Sequence, residues 1–155
     1  MIYFTHCRTA LKYGLIHLGF KPGDKILLPD YVCDVLLQPL KQLQLLPCYY
    51  RIKDNMDPVW DDIVNSIDNK VKAIIMVHYF GQPQPIENFL SIVKKYNLKL
   101  IENNAHGHGG LYNGELLGTF GDIGISSPRK NYPIDFGGVL FLKNGENLNL
   151  ELDSP

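Results

Sequence analysis

Neither sign of charge prevails in this chain. Lys plus Arg number 15 and Asp plus Glu 16, a formal net charge of −1. That balance gives no electrostatic reason to expect a nucleic-acid partner or an anionic membrane surface. Cysteine is scarce. Cys7, Cys33 and Cys48 are odd in number and widely spaced, which argues against a disulfide framework. No pair has the close spacing of a zinc site, and no metal is expected. Reduced thiols point to a reducing compartment, with the cytoplasm as the default. No apolar run reaches the ~18 residues of a membrane span. The opening residues Met1-Ile-Tyr-Phe-Thr-His6 lack the basic region and apolar run of a signal peptide. The GxxxxGKS/T phosphate loop is missing, and Gly107-His-Gly-Gly110 is not the GxGxxG of a dinucleotide site.

What is present is a globular composition. The chain has 155 residues, 45% hydrophobic and 20% charged, enough for one domain with a real core. Short apolar runs alternate with amphipathic segments. The runs are Lys25–Pro29, Cys48–Ile52, Ala73–His78, Leu98–Ile101, Ile123–Ser126 and Val139–Leu142. Five consecutive apolar residues before His78 suit a strand covered on both faces. Helices are expected over Thr9–Leu18, Asp34–Leu46, Pro58–Ile67 and Pro85–Tyr96. Pro39 must kink the second or mark its late start. Pro58 and Pro85 are each placed at a first helical position. Such alternation argues for a three-layer α/β/α fold with a mostly parallel sheet. From Gly107 to Gly138 the chain is glycine-rich without a convincing helix, which reads as loops at a site.

Several residues carry chemistry. Lys130 stands in Ser126-Ser-Pro-Arg-Lys-Asn-Tyr-Pro133, with Ser127 three positions before it and Arg129 beside it. An amine that bonds an aldehyde must first lose its proton, and nearby positive charge in a partly dry pocket favours that. A solvated Lys–Arg pair in a loop is the plainer alternative. The SxxK spacing also occurs in penicillin-recognising acyl enzymes. Pro128 and Pro133 disfavour the helix that reading needs, and SDN and KTG elements are missing. His78, His106 and His108, with Glu102, are candidate metal ligands only if they converge. Cys7-Arg-Thr-Ala-Leu11 opens the first helix, where free N–H groups and the Thr9 hydroxyl offer an anion site, or Thr9 is simply a cap.

The order of these segments resembles the DegT/DnrJ/StrS family of nucleotide-sugar aminotransferases, enzymes of the aspartate-aminotransferase fold type. The resemblance runs from about Phe4 to Lys143. It rests on Arg8-Thr-Ala-Leu11, Leu18-Gly-Phe-Lys-Pro-Gly-Asp24, Ile26-Leu-Leu-Pro-Asp-Tyr31 and Lys72 to Pro83, which ends in His-Tyr-Phe-Gly-Gln-Pro. It continues through Leu100-Ile-Glu-Asn-Asn-Ala-His106, Gly118-Thr-Phe-Gly-Asp122, Ser127-Pro-Arg-Lys130 and Asp135-Phe-Gly-Gly138.

The resemblance implies the large, cofactor-binding domain of such an enzyme over residues 1–143, with residues 144–155 a polar tail or truncation point. The smaller C-terminal domain of the family is missing, so a fragment or a natural remnant is expected. The implied cofactor is pyridoxal 5'-phosphate (PLP). Lys130 matches the lysine that bonds it. Arg8 and Thr9 match the phosphate cradle, with Ser127 assisting. Cys33 matches the position that stacks on the ring, usually aromatic, to which Tyr31 is an alternative. His106 matches a residue that contacts cofactor or substrate. Asn103 stands where the family has an aspartate on the pyridine nitrogen, and His6-Cys7 where it has Ser-Gly. The implied substrates are a keto-sugar nucleotide and an amino acid, glutamate by the family's habit, with a homodimer as the full-length form. Two other readings stay open: a truncated or inactive homologue serving as a binding or regulatory module, and a metal-dependent hydrolase.

Overall fold

The computed structural model describes residues 1–145, 147 and 148. The chain opens with strand β1 (Ile2–Phe4) and helix α1 (Cys7–His17). Strand β2 (Lys25–Pro29) leads through a 3-10 turn (Asp34–Leu36) into α2 (Leu37–Gln42) and β3 (Leu46–Tyr50). Then follow α3 (Trp60–Ser66), β4 (Val71–Val77), α4 (Ile86–Tyr96) and β5 (Lys99–Asn104). A hairpin of β6 (Leu111–Tyr112) and β7 (Glu115–Leu116) precedes β8 (Ile123–Ser126) and β9 (Gly138–Leu142).

Seven strands form one sheet in the order β1-β9-β8-β5-β4-β2-β3. The run from β3 to β8 is parallel. β9 pairs antiparallel with β8, and β1 antiparallel with β9. Strand β4 shows why its sequence is apolar throughout. Ala73, Ile75 and Val77 face a core shared with Leu11 and Leu15 of α1 and Leu40 of α2. Ile74 and Met76 face the opposite core, with Ile63 of α3 and Phe89 of α4. Helices thus cover both faces, giving the expected three layers. Each fully buried aliphatic chain stabilises the fold by roughly 1.5–3 kcal/mol.

Helix α4 follows its sequence pattern closely. Ile86, Phe89 and Val93 recur on one buried face. Lys94 and Lys95 lie in its last turn, and Asn97 caps it in the left-handed conformation at φ 53°. A β-branched residue at 97 would strain that end.

Several boundaries differ from expectation. Pro58 does not start a helix. It pairs with Ile52 in an isolated antiparallel bridge, and α3 begins at Trp60. Pro85 is the N-cap of α4 rather than its first residue. The leucine-rich stretch over Asp34–Leu46 splits into a 3-10 turn and a short helix with Pro39 in its first turn, a late start rather than a kink. Its last residue, Leu46, already belongs to β3, because hydrogen bonding to β2 begins at Lys25–Leu46. β5 runs on to Asn104, so Asn103 lies within the strand and not beyond it. Of the tail expected from 144, residues 146 and 149–155 lie outside the described residues.

Candidate functional site

The C-terminal ends of β2, β4, β5 and β8 open towards the first turn of α1. In open α/β sheets this edge is where ligands bind. A cavity of about 440 Å³ lies there, within the range of small-molecule sites. Each strand end contributes: Tyr31 and Cys33 after β2, Tyr79 and Phe80 after β4, Asn103 and His106 on and after β5, Ser127, Arg129 and Lys130 after β8. His6, Cys7 and Arg8 line it from the start of α1. Among the described residues, no aspartate or glutamate lines the cavity, whereas Arg8, Arg129 and Lys130 do.

The cavity therefore gathers Arg8, Cys33, Asn103, His106, Ser127 and Lys130 from far apart in the chain. Thr9 is not among the lining residues, and its amide is bonded to the His6 carbonyl at 3.1 Å. The N-cap of α1 is His6, without a side-chain cap, so Thr9 does not cap the helix either. Sequence reasoning left Tyr79 and Phe80 unassigned, and used Cys7 and Arg129 only for the setting they create. Phe80 had a signal, since it lies inside the family-like His-Tyr-Phe-Gly-Gln-Pro run.

The first turn of α1 is set by a close approach. A Cβ on Gly138 would fall 2.4 Å from the carbonyl carbon and oxygen of His6 and 2.5 Å from the Cys7 nitrogen. Only glycine lets β9 and the helix start meet this way. The Gly137 amide bonds the Thr5 carbonyl at 2.9 Å, and the Ser127 hydroxyl donates to the Gly137 carbonyl at 3.3 Å. The helix therefore presents its positive end to the cavity, beside Arg8. The Cys7 thiol is half-buried there. Burial pushes its pKa up to about 12, against the opposing pull of Lys130 and Arg129.

The loops after β4 and β5 are fastened to each other. The Phe80 amide donates to His106 Nδ1 at 3.2 Å, and the two rings stack at 6.0 Å between centroids. Phe80 holds a left-handed backbone, φ 54° and ψ 23°, uncommon for a bulky residue. Burial, then the charge of Lys130, holds the His106 pKa below that of an ordinary imidazole. The Tyr79 hydroxyl donates to the Tyr31 carbonyl at 2.6 Å and ties the loop after β2 to the same place.

Asn103 and Glu102 face opposite sides of the sheet, as strand alternation demands. Asn103 lines the cavity, and its Oδ1 accepts the Ala105 amide at 3.0 Å. Glu102 is fully buried on the other side. Its carboxylate accepts the amides of Gly118 (2.6 Å), Phe120 (2.8 Å) and Gly121 (3.2 Å), together with His78 Nε2 (2.8 Å). His78 Nδ1 accepts the Gln84 amide at 3.0 Å, so the ring proton is on Nε2 and donated to Glu102.

The histidines do not converge. His78 serves Glu102, His106 serves Phe80, and His108 Nδ1 shares a hydrogen bond with the Ser126 hydroxyl at 2.7 Å. Among the described residues, no group of three or more His, Cys, Asp or Glu side chains is placed to hold a metal ion. Nor is any helix among them long and apolar enough to cross a membrane.

The fold is that of an aminotransferase large domain. A solved structure described as a sugar aminotransferase of Streptococcus pneumoniae, in its PLP form, superposes with a TM-score of 0.85 at 20% identity, covering 93% of this chain and 41% of that one. The profile of the DegT/DnrJ/EryC1/StrS aminotransferase family matches residues 1–150. The chain belongs to this family. GDP-perosamine synthase of Escherichia coli O157:H7 is 33% identical over 144 residues, 90% of this chain and 39% of the relative. The dTDP-3-amino-3,6-dideoxy-alpha-D-galactopyranose transaminase of Aneurinibacillus thermoaerophilus is 46% identical over 68 residues, 44% of this chain and 18% of the relative. The chain thus spans well under half the length of these relatives.

Proposed function

We propose that this chain is the cofactor-binding core of a PLP-dependent aminotransferase that moves an amino group from an amino acid, glutamate by family habit, to a keto-sugar nucleotide. The observation that carries this reading is the cavity itself. It places a lysine, a helix N-terminus with two arginines, and a polar strand-end residue at separate points of one space. Two relatives whose names specify GDP- or dTDP-linked aminosugar chemistry support the substrate class. Homodimer assembly of the full-length form and a cytoplasmic setting belong to the same proposal.

The residues fit PLP in most respects. The close approach at Gly138 exposes the helix start to an anion, where a Cβ would push it away. Arg8 and Arg129 would supply charge for its phosphate, and Ser127 holds the Gly137 carbonyl next to the close approach at Gly138. Among the described residues, Lys130 is the only lysine lining the cavity, and it would be the group to bond the cofactor aldehyde. When bound, PLP supplies that aldehyde and a ring that draws electrons from the reacting carbon. The chain does the rest. Lys130 takes up and returns a proton at Nζ. His106, with Nδ1 held by Phe80, offers an Nε2–H donor to the cavity. Tyr31 and Cys33 bound the ring space from the β2 side.

One residue favours a second reading. Asn103 carries no charge to hold a proton on the pyridine nitrogen, which suits a binding or regulatory module. The proposal is tested by mixing protein and PLP, reducing with borohydride and mapping the labelled peptide by mass spectrometry. Label at Lys130 supports it. Label on other lysines alone removes Lys130 from its role.

A further inference from the structure

We infer that Asn103 makes this pocket a site for the uncharged form of a pyridine-type ring nitrogen, held by a hydrogen bond that the protein donates. The inference rests on the PLP reading of the cavity.

The argument begins with the side-chain amide. An amide has one oxygen and one NH2, and the two are told apart by their partners. Here the Ala105 backbone N–H points at the side chain at 3.0 Å. A backbone N–H needs an acceptor, so the oxygen must occupy that position. The NH2 is left, with no hydrogen-bond partner among the described residues, on a side chain that lines the cavity. What it offers a ligand is a donor. A ring nitrogen that meets a donor must bring its lone pair, not a proton.

The rest of the cavity agrees. Among the described residues, no carboxylate lines it. The adjacent Glu102 is on the opposite side of the strand, with its oxygens taken by three backbone amides and His78. The Asp30 carboxylate, at the end of β2, is engaged by the Ile52 amide at 3.0 Å and is not a lining residue. The charged side chains that do line the space are Arg8, Arg129 and Lys130, all cationic. A ring cation there would face like charges with no carboxylate among the described lining residues to offset them, which disfavours it. An anionic phosphate on a neutral ring meets the opposite balance.

The test reads the ring nitrogen directly. PLP labelled with 15N in the ring is bound to the protein at neutral pH, and its chemical shift is compared with those of free pyridine and pyridinium forms. The parent is expected at the free-base position, and Asn103→Asp at the pyridinium position. A pyridinium shift in the parent overturns the inference, as does a free-base shift in both proteins. A second measurement needs no variant. An analogue with carbon in place of the ring nitrogen should bind the parent weaker by on the order of 10-fold, the value of one lost hydrogen bond. Equal affinity would overturn the inference as well. Failure to bind PLP at all, with Lys130 unlabelled after borohydride, is a different result and strikes the cofactor reading itself.

Discussion

The Phe80 amide donates to Nδ1 of His106, so the single proton of neutral His106 sits on Nε2. Protonating Nδ1 would break this bond and add a cation beside Lys130. Both effects agree with the lowered pKa of this imidazole, whose first cause is burial and second the charge of Lys130. The folded pKa is thus below the unfolded one. Stability from neutral His106 is fully present above about pH 6.5 and is lost as pH falls through the folded value. In an NMR titration His106 should show a midpoint below 6.5, and Lys130→Met should move it upwards. A parent midpoint at or above 6.5 would contradict the geometry.

Gly138→Ala should disturb both stability and the anion end of the cavity. The new Cβ would meet backbone rather than a flexible side chain, so relief requires α1 to shift. Overpacking of this kind costs about 1–3 kcal/mol. Urea denaturation gives the stability change, and equilibrium dialysis the loss of PLP affinity. Unchanged values in both would mean that α1 retreats freely and is not a rigid cradle.

Glu102→Gln should be costly although it changes only one oxygen to an NH2. Both carboxylate oxygens accept from N–H donors, so the new NH2 must face a donor with a donor. Leaving such groups unpaired inside a protein costs about 3 kcal/mol. Denaturation midpoints at constant slope would show it. A loss under about 0.5 kcal/mol would mean that the loop over Gly118–Gly121 is held by something else.

On the proposed function, Asn103→Asp in the full-length form should raise the rate of amino transfer from an amino-acid donor such as glutamate to bound PLP. A gain on the order of 10²-fold corresponds to about 2.7 kcal/mol of barrier. Single-turnover absorbance measures it. A variant that binds PLP as well as the parent and reacts no faster would place residue 103 away from the pyridine nitrogen.

Much of the fold was legible because the signals were local. The unbroken apolar run before His78 marks a central strand, and Ile86, Phe89 and Val93 mark one helix face. The misreadings have local causes too. Pro58 looked like a helix start, but its partner is Ile52, a pairing that no single-segment pattern contains. β1 is three residues at the sheet edge and shows no periodicity. The β6–β7 hairpin did carry a signal, since Asn113-Gly114 is a strong two-residue turn and both residues have positive φ. In the site, the resemblance led to Lys130, Arg8, Asn103 and His106, all of which line the cavity. It could not show the Asn103 amide orientation, because that depends on the Ala105 N–H. Nor could it show Phe80 over His106, which needs two loops in contact.

Those two loops meet at a pair of glycines. A Cβ on Gly107 would fall 2.6 Å from the Cα of Gly81, and one on Gly81 3.0 Å from the Cα of Gly107. Each position is closed by the backbone of the other, so shrinking one cannot make room for a side chain at its mate. Ordinary packing drifts through compensating swaps of large and small, and this junction has no such exchange available. The two strand ends that carry His78 and His106 are therefore joined by a hinge pin with no spare width, and any variant that widens it must move Phe80 off His106.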